Sequence, residues 1–466
     1  MPEKTENGMF IFRRDLRIID NTTLNLLHST CKHIYTVFIF TPEQVSDSKN
    51  KYKSNDAVLF MIESLQDLSK KIQEKGGKLY SFYGNNAKIV EDLIKLLDIH
   101  KIGFNIDYSP YAIKRDKELE KICEKMKIEM VCDHDYYLNP PGTIFNGSGD
   151  PYQKFTPYYE KAIKTRFMET SSSRQISFTK SKKMDSYPKL MPFDLALHKF
   201  TDNFPYSEIY GGRDQAISKL NSAVKSQKQY ASTRNNLDKK TSELSAYIKF
   251  GCVSIREVYK KFKSNKDFVR QLIWRDFYAN ILFSFPQVLG SAMKPAYNKI
   301  KWSSSTKNIE AWKSGQTGFP IVDAGMRQLN QTGYMHNRAR LIVASFLVKT
   351  LMIDWRVGEE YFASQLRDYD PASNNGNWQW VAGSGADSQP YFRIFNPWEQ
   401  TKSHDPNCEY ITTWVPELDD LSNKVILNWD TEFKNYDMDE LNYFVPIVDY
   451  REQKEKSLKM YKRIFE

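Results

Sequence analysis

The first third of this chain alternates short apolar segments with longer amphipathic ones, and this alternation constrains the fold more than any other feature. The apolar segments run from Met9 to Phe12, from Ile34 to Phe40 and from Lys78 to Tyr83. Helical periodicity fills residues 57–75 and 88–97. Because strands that are joined through helices pair in parallel, the order predicts a parallel sheet covered by helices. We expect this α/β domain to occupy residues 1–132.

The rest of the chain divides into a connector and a helical region. Clusters of Pro, Gly and Ser lie at Asn139–Gly142, Asn146–Gly149 and Ser171–Ser173. Such clusters predict that residues 133–205 form a long connector, with one short helix from Pro157 to Met168. From Gln215 onward helical periodicity dominates and strand patterns are hard to find. Residues 206–466 are therefore predicted to form an all-α domain.

Charge and hydropathy restrict the partners of the chain. Its 466 residues include 67 Lys and Arg against 57 Asp and Glu, a formal net charge of +10. The positive charge favours an anionic partner such as nucleic acid, although ordinary solubility explains it equally well. There is no run of about 18 apolar residues and no signal-peptide pattern. We expect a soluble intracellular protein, in the cytoplasm or nucleus, without a membrane partner.

Several site signatures are missing from the sequence. The five cysteines form no C-x-x-C pair, which is typical of reduced thiols, and the seven histidines show no metal-ligand spacing, so no metal site is expected. Neither a G-x-G-x-x-G fingerprint after the first strand nor a P-loop is present. The α/β domain therefore lacks the usual sequence marks of nucleotide binding.

The most concentrated chemistry lies between Asp368 and Trp380, a stretch that holds two acids, a pair of amides and two indoles. Gly333–Arg340 precedes this block and Tyr391–Pro397 follows it. With the three blocks in this order, the chain resembles the photolyase/cryptochrome family, and most closely its class I cyclobutane pyrimidine dimer photolyases. The matches run from Arg13 to about Val448 and so cover nearly the whole chain.

This resemblance implies a Rossmann-like N-terminal antenna domain and a helical C-terminal domain that binds FAD. It also implies light-dependent DNA repair, in which excited reduced FAD donates an electron to a cyclobutane pyrimidine dimer, the ring splits and the electron returns. The enzyme would be a deoxyribodipyrimidine photolyase, a carbon-carbon lyase that acts as a monomer on UV-damaged DNA.

The resemblance assigns to FAD the residues Tyr230, Thr241, Ser242, Glu243, Leu244, Ser245, Arg275, Arg340, Asp368, Tyr369, Asp370 and Asn374. The Thr241–Ser245 segment offers hydroxyls at the start of a helical run, where free N–H groups favour anions. Taken alone, it is an ordinary N-cap box. Arg340 is expected to pair with Asp368, which a structural salt bridge explains about as well. Asp370 is expected to contact the ribityl chain or the ring edge.

Asn374 matches the position that faces N5 of the flavin. The resemblance links asparagine there to photolyases, cysteine to animal cryptochromes and aspartate to plant cryptochromes. An amide can donate to N5 or accept from N5–H without supplying a labile proton, and this favours repair. The alternative for Asn374 is a helix N-cap in a turn rich in Asn and Gly.

Trp378, Trp355 and Trp302 match the family's chain of electron hops from the flavin to the surface. Trp378 and Trp380 are two residues apart, so on a helix their side chains point to nearly opposite faces. One can then face the flavin and the other the substrate cavity. Without the resemblance, three core tryptophans would be the better interpretation.

Substrate binding is expected to follow base flipping, in which a weakly stacked lesion enters a pocket lined by aromatic rings. The resemblance assigns the pocket and its flanks to Gln271, Trp274, Asn337, Arg338, Trp380 and Arg393. Trp274 and Trp380 would form the apolar walls. Asn337 would bind a pyrimidine edge, while Arg338 and Arg393 would bind the flanking phosphates.

Gln271 departs from the dimer-repair pattern, in which glutamate is usual. Glutamine is more typical of the enzymes that repair (6-4) photoproducts. Those enzymes need two histidines four residues apart on one helical face, and the matching positions are Asn337 and Leu341. His336 lies on a different face and is expected to be structural. The dimer stays the expected substrate, with a (6-4) photolyase as the alternative.

The identity of the antenna chromophore stays open. Asn105–Tyr111 matches a segment near the antenna pocket, but folate-binding members carry an Asn-Glu pair where Tyr111 and Ala112 stand. This argues against folate and leaves a deazaflavin, a second flavin or no antenna. Two alternatives also remain for the whole chain: a cryptochrome-like blue-light photoreceptor and a light-independent nucleic-acid-binding module.

Overall fold

A computed structural model describes residues 5–167, 169, 176–201 and 209–466. Five strands form one sheet: β1 (Thr5–Phe12), β2 (Cys31–Phe40), β3 (Leu79–Tyr83), β4 (Lys101–Asn105) and β5 (Glu129–Asp133). The strands lie in the order β3-β2-β1-β4-β5, and every neighbouring pair is parallel. The predicted parallel α/β domain is confirmed.

The central strand β1 shows why these segments pair as strands. Met9 and Ile11 are buried in one core that also holds Val37 and Ile102 from the neighbouring strands. Phe10 and Phe12 point to the opposite face, with their ring centroids 4.7 Å apart. Because both faces of the strand are buried, its sequence is apolar throughout rather than alternating.

Helices join the strands: α1 (Thr22–Thr30), α2 (Pro42–Val45), α3 (Asn55–Glu74), α4 (Asn86–Leu97) and α5 (Pro110–Met126). Four of these helices begin with a side-chain oxygen that accepts a hydrogen bond from an amide in the first turn. The capping residues are Asn21, Ser54, Asn85 and Ser109. Each such cap contributes about 1 kcal/mol to helix stability.

The described part of residues 133–205 contains three helices rather than one: α6 (Phe155–Ala162), α7 (Lys182–Asp185) and α8 (Phe193–Phe200). The helix predicted from Pro157 to Met168 begins two residues earlier and ends at Ala162, while Met168 and Ser171–Ser173 lie outside the described residues. Met184 of α7 is buried in the core of the sheet. Its burial explains the extra helix, because such short helices are stabilised by packing.

The rest of the described chain is helical and carries one isolated bridge, between Ser303 and Ile353, but no further strand. Its helices are α9 (Arg213–Ser226), α10 (Tyr230–Thr233), α11 (Ser245–Lys249), α12 (Ile255–Phe262), α13 (Lys266–Ser284), α14 (Thr306–Ser314), α15 (Pro320–Thr332), α16 (Asn337–Ser345), α17 (Trp355–Gln365), α18 (Pro371–Ala382), α19 (Pro397–His404), α20 (Glu409–Trp414), α21 (Asn423–Leu427), α22 (Trp429–Glu432), α23 (Met438–Leu441) and α24 (Tyr450–Lys462). A π-helix, Phe346–Thr350, continues α16. Short 3-10 turns lie at Pro286–Val288, Pro295–Lys299, Pro416–Leu418 and Phe433–Asn435.

Internal contacts divide the chain into two compact units. The first unit comprises Met1–Ser226, Ser242–Pro286 and Arg367–Ala372, and the second comprises Gln227–Thr241, Gln287–Leu366 and Ser373–Glu466. The boundaries expected after residues 132 and 205 stay predictions. Among the described residues, no helix combines the length and the apolar character that crossing a bilayer requires.

Candidate active site

The predicted site residues are distributed over both units, and each group is described by itself. The first unit holds Ser242, Glu243, Leu244, Ser245, Gln271, Trp274, Arg275, Asp368, Tyr369 and Asp370. The second unit holds Tyr230, Thr241, Trp302, Asn337, Arg338, Arg340, Trp355, Asn374, Trp378, Trp380 and Arg393. The expected pair of Arg340 with Asp368 joins residues of different units and stays a prediction.

In the first unit, Asp370 belongs to a buried charge cluster. Nη1 of Arg14 lies 3.1 Å from its carboxylate and 3.6 Å from that of Asp107. Lys249 lies in the same cluster, where burial and then the charge of Arg14 lower the pKa of the lysine to about 8. Positive charge is thus concentrated around Asp370.

Arg275 has donor capacity that the protein leaves unused. Its Nη1 donates to the carbonyl oxygen of Tyr136 at 2.6 Å, and its guanidinium lies 4.2 Å from the centre of the Tyr137 ring. Within the described part of the chain, the buried Nη2 of Arg275 has no hydrogen-bond partner, and neither do Nε and Nη2 of Arg14. Buried N–H groups are normally satisfied, so these orphan donors fit an additional group rich in acceptor oxygens, as FAD is.

The predicted hydroxyl segment does not cap a helix. Helix α11 begins at Ser245, its N-cap position is occupied by Leu244, and no side chain there accepts a cap hydrogen bond. The interpretation of the Thr241–Ser245 segment as an N-cap box is therefore wrong. The backbone of Glu243 adopts the left-handed conformation, with φ 51°. Its carboxylate forms an ion pair with Nζ of Lys219, at a distance of 2.5 Å. Over the described residues, the hydroxyls of Ser242 and Ser245 make no hydrogen bond within the protein, so they stay available to a ligand.

Tyr369 and the lesion residues of α13 complete the first group. The ring of Tyr369 stacks on that of Tyr52, with 6.1 Å between centroids. Gln271 and Trp274 are one helical turn apart and therefore share a face of α13. Trp274 stacks on Phe155 with centroids 3.6 Å apart and planes within 7°. One face of the predicted lesion wall is thus covered by a phenylalanine that the sequence did not identify.

In the second unit, Asn374 lies inside α18 rather than at its start, so its N-cap interpretation is wrong. Its Nδ2 donates to the main-chain carbonyl of Glu359 at 2.9 Å. The neighbouring Asn375 donates to the carboxylate of Glu359 at 3.0 Å and to the carbonyl of Val288 at 2.9 Å. Because a carbonyl oxygen only accepts, these contacts fix which end of the Asn374 amide is the nitrogen.

The three predicted hop residues differ in exposure. Trp378 and Trp355 are both 2% exposed, whereas Trp302 is half-buried. The ring of Trp378 lies against Gly358, where a Cβ would stand 2.1 Å from ring carbon Cη2, and Gly358 is three residues after Trp355 on α17. Next to Trp302, the amide of Ser303 donates to the carbonyl of Met352 at 2.8 Å. The packing of the Trp378 ring on Gly358 and the hydrogen bond between Ser303 and Met352 therefore link the segments that carry the three indoles.

Two of the predicted DNA contacts, Asn337 and Arg338, lie at the start of α16. Asn337 is its first residue and is exposed, while Nη2 of the half-buried Arg338 donates to Oδ1 of Asn235 at 2.8 Å. Burial, and then the charge of Arg234, lower the pKa of Arg338. His336 caps the helix by accepting from the Arg338 amide at 3.1 Å. Burial lowers the pKa of His336 to about 4, so this imidazole is neutral and structural, as expected.

The remaining predicted residues of the second unit lie in separate settings. Thr241 shares a 2.6 Å hydrogen bond with the hydroxyl of Tyr334, and Nε of Arg340 donates to the carbonyl of Met335 at 2.9 Å. Tyr230 begins α10 and carries Arg234 over its ring, 6.0 Å from the centre. Trp380 on α18 is half-buried, and Arg393 is exposed in the loop that follows.

A cleft of about 520 Å³ opens in the first unit beside the predicted antenna segment. Tyr108, Pro110 and Ile113 line it from one side, and Leu282, Phe283 and Pro286 from the other. The charged residues that line the cleft are three lysines, Lys114, Lys117 and Lys121, and one carboxylate, Glu118. Apolar walls with several cations suit a flat molecule that carries negative charge.

Comparisons with known proteins identify the family of this chain. The model of the DNA photolyase family matches residues 9–175, and that of the FAD binding domain of DNA photolyase matches residues 268–463. The deoxyribodipyrimidine photo-lyase of Buchnera aphidicola subsp. Baizongia pistaciae is 36% identical over 97% of each chain.

Two solved structures extend the likeness to three dimensions. A photolyase from Sulfolobus tokodaii, solved with two FAD molecules, is 38% identical at a TM-score of 0.88 and covers 98% of this chain and 100% of its own. A class III photolyase from Agrobacterium tumefaciens is 31% identical at a TM-score of 0.90, with coverage of 100% and 99%. The predicted family, photolyase activity and FAD cofactor are thereby confirmed. The chain belongs to the DNA photolyase family, and residues 268–463 carry that family's FAD-binding domain.

Proposed function

We propose that this photolyase repairs cyclobutane pyrimidine dimers in DNA and acts as a monomer. The observation that carries the proposal is the fixed orientation of Asn374, the residue that we assign to flavin N5. One N–H of its Nδ2 donates to the carbonyl of Glu359, 2.9 Å away, which fixes the orientation of the amide and leaves its oxygen to accept a hydrogen bond. An acceptor without a labile proton at this position favours repair over signalling.

The residues assigned to FAD fit an anionic, oxygen-rich cofactor. Arg275 keeps a buried N–H group without a partner in the described chain, and Ser242 and Ser245 keep their hydroxyls unused. Charge-assisted hydrogen bonds from such donors to phosphate are among the strongest available in a protein. When bound, reduced FAD supplies the light-excited electron, while these residues orient it.

We assign photoreduction of the cofactor to electron transfer through three tryptophans. Counted from the flavin to the surface, they are Trp378, Trp355 and Trp302. Two deeply buried indoles and a third at half burial form a series whose last member is accessible to an external donor. The contact of Trp378 with Gly358 keeps the first indole within one helical turn of Trp355 along α17.

We assign lesion binding to Gln271 and Trp274 on α13 of the first unit and to Trp380 of the second unit. Phe155 supports Trp274 from behind and so leaves one indole face for a flipped base. We assign the DNA phosphates to Arg338 and to Arg393, and the exposed Asn337 to a pyrimidine edge.

The choice of the dimer over the (6-4) photoproduct depends on the start of α16. Asn337 and Leu341 stand one turn apart there, where a (6-4) enzyme would need two histidines. His336 is committed to capping the helix and does not substitute for either of them. Gln271 alone supports the alternative, and class I membership belongs to the same proposal.

We place the antenna chromophore in the cleft beside Tyr108 and Phe283. Its three lysines favour a chromophore with phosphate or carboxylate groups, and a second flavin meets that requirement. Titration of the purified protein with FMN, FAD, a deazaflavin or a folate, followed by energy transfer to the bound flavin, tests this placement. A Lys114→Ala, Lys117→Ala double variant is expected to lose the transfer.

The proposed function is tested by illuminating the protein, with its FAD chemically reduced, in the presence of oligonucleotides that carry each lesion. Restoration of the dimer alone is the expected result. Restoration of the (6-4) photoproduct alone would establish the alternative substrate. Restoration of neither lesion, although both are bound and FAD is present, would contradict the proposed repair of dimers.

A further inference from the structure

Lys349 is a buried lysine that the proposed reaction does not use. It lies in the π-helix Phe346–Thr350, directly after α16, and is only 1% exposed. Among the described residues, no carboxylate forms an ion pair with it. A buried ammonium without such a counter-charge is costly unless its hydrogen bonds are satisfied, so the partners that it does have are informative.

Those partners belong to the main chain of the loop after α18. Nζ of Lys349 donates to the carbonyl of Arg393 at 2.9 Å and to that of Tyr391 at 3.4 Å. It also lies 5.8 Å from the centre of the Tyr461 ring, whose face attracts a cation. The ammonium thus holds two carbonyl groups that are two residues apart.

The same loop is held at two further points. The amide of Phe395 donates to Oγ of Ser345, four residues before Lys349, at 3.4 Å. The ring of Tyr391 stacks on that of Tyr461, with 6.0 Å between centroids and 13° between planes. The inner side of the loop is therefore fixed by the end of α16, by the π-helix and by α24.

The outer side of the loop presents an aromatic side chain and a charged one. Phe392 is 62% exposed, and Arg393 beside it is also exposed. An exposed aromatic ring next to a guanidinium is a suitable surface for nucleic acid, because the ring stacks on bases and the guanidinium binds phosphate. The direction of both side chains depends on the carbonyl groups that Lys349 holds.

We propose that Lys349 is a positioning residue for DNA binding, which fixes the main chain of residues 391–393 so that Phe392 and Arg393 face the nucleic acid. This inference rests on the proposed function, in which Arg393 binds a phosphate beside the lesion. Lys349 itself does not touch the DNA.

A double-mutant cycle tests the inference. Wild type, Lys349→Met, Arg393→Ala and the double variant are titrated with dimer-containing duplex at one salt concentration. Methionine preserves the volume of the core and removes the donor. We expect each single change to weaken binding about tenfold, and the double variant to bind as Arg393→Ala does. FAD content and photoreduction are expected to stay at the wild-type level, which a general loss of structure would not allow.

Lys454→Met is the charge-matched control, because Lys454 is exposed on α24 and its loss changes the net charge equally. It is expected to bind DNA within about twofold of wild type. If Lys349→Met does not retain FAD, Ser345→Ala removes another anchor of the same loop with little change in volume, and the same non-additivity with Arg393→Ala is expected.

Two results separate the inference from the proposed function. If Arg393→Ala weakens binding while Lys349→Met binds as wild type, or if the two losses add, the positioning role is wrong and the proposed function stands. If Arg393→Ala and Arg338→Ala both bind as wild type, the proposed DNA surface is wrong and the inference fails with it.

Discussion

The side-chain amide of Asn374 donates to the main-chain carbonyl of Glu359 at 2.9 Å, and this contact orients the residue that we assign to the flavin. In Asn374→Asp, a carboxylate oxygen would face that carbonyl. The repulsion is expected to raise the pKa of the new carboxyl group, so that its protonated form replaces the lost donor. Stability is expected to fall by about 1–3 kcal/mol at a pH where the group ionises.

The same substitution is expected to change the absorption spectra of the flavin during illumination, because a carboxyl group can supply a proton where the amide cannot. Asn377→Asp is the control, since Asn377 is exposed on the same helix. Identical spectra in wild type and Asn374→Asp would remove Asn374 from the flavin.

Gly358→Ala is expected to destabilise the second unit by about 1–3 kcal/mol, although alanine is favoured over glycine in helices by about 1 kcal/mol. The added Cβ would stand 2.1 Å from the Trp378 ring and 2.5 Å from its next carbon. We also expect slower photoreduction, because the indole must shift. Gly147→Ala is the control, since a Cβ there meets nothing within 4 Å. Equal thermal midpoints for wild type and Gly358→Ala would contradict the packing described.

The parallel sheet was predictable, because strands buried on both faces leave continuous apolar runs such as Met9–Phe12. The position of Asn374 within a helix was harder to predict from the sequence. The Asn- and Gly-rich stretch suggested a turn, whereas contacts with Glu359 and Val288 satisfy the amides inside α18. Tertiary packing here overrides local preference.

Partners that act through the main chain or over long separations left no mark in the sequence. Glu359 orients Asn374 through its carbonyl oxygen, which every residue type possesses. Phe155 meets Trp274 only after folding. Gly358 gave one usable signal, since glycine inside a helix often marks the close approach of another group.

Trp302→Phe is expected to lower the rate of photoreduction of oxidised FAD at least about tenfold, because phenylalanine is far harder to oxidise than indole. Repair by chemically prereduced protein is expected to survive, since it does not need this path. Trp414→Phe, at another half-buried indole of the second unit, is the control and should photoreduce normally. Wild-type photoreduction in Trp302→Phe would show that electrons enter elsewhere.

Ionisation of Asp276 is expected to make the free energy of unfolding depend on pH. Burial, opposed by the charge of Arg275, raises its pKa from 3.8 to about 7. Between these values the folded protein keeps a proton that the unfolded chain releases, so the free energy of unfolding falls as pH rises, by at most about 1.4 kcal/mol per pH unit. Asp276→Asn should therefore gain stability relative to wild type as pH rises from about 4 to 7.

Chemical unfolding at several pH values measures this difference, with the exposed Asp430→Asn as the control. A constant difference between wild type and Asp276→Asn across that range would show that Asp276 is ionised throughout.

The most direct test of the account is the quantum yield of repair for wild type and Gln271→Glu on a dimer oligonucleotide, with a (6-4) oligonucleotide in parallel. Within the described residues, the hydrogen bond that Gln271 donates is a single long one, 3.4 Å to the carbonyl of Asp267, so the side chain stays available to a base. We predict that wild type repairs the dimer and that the glutamate variant repairs it at least as well, since a carboxylate accepts from pyrimidine N3–H. Loss of dimer repair in Gln271→Glu, or wild-type activity on the (6-4) lesion alone, would contradict the proposed substrate.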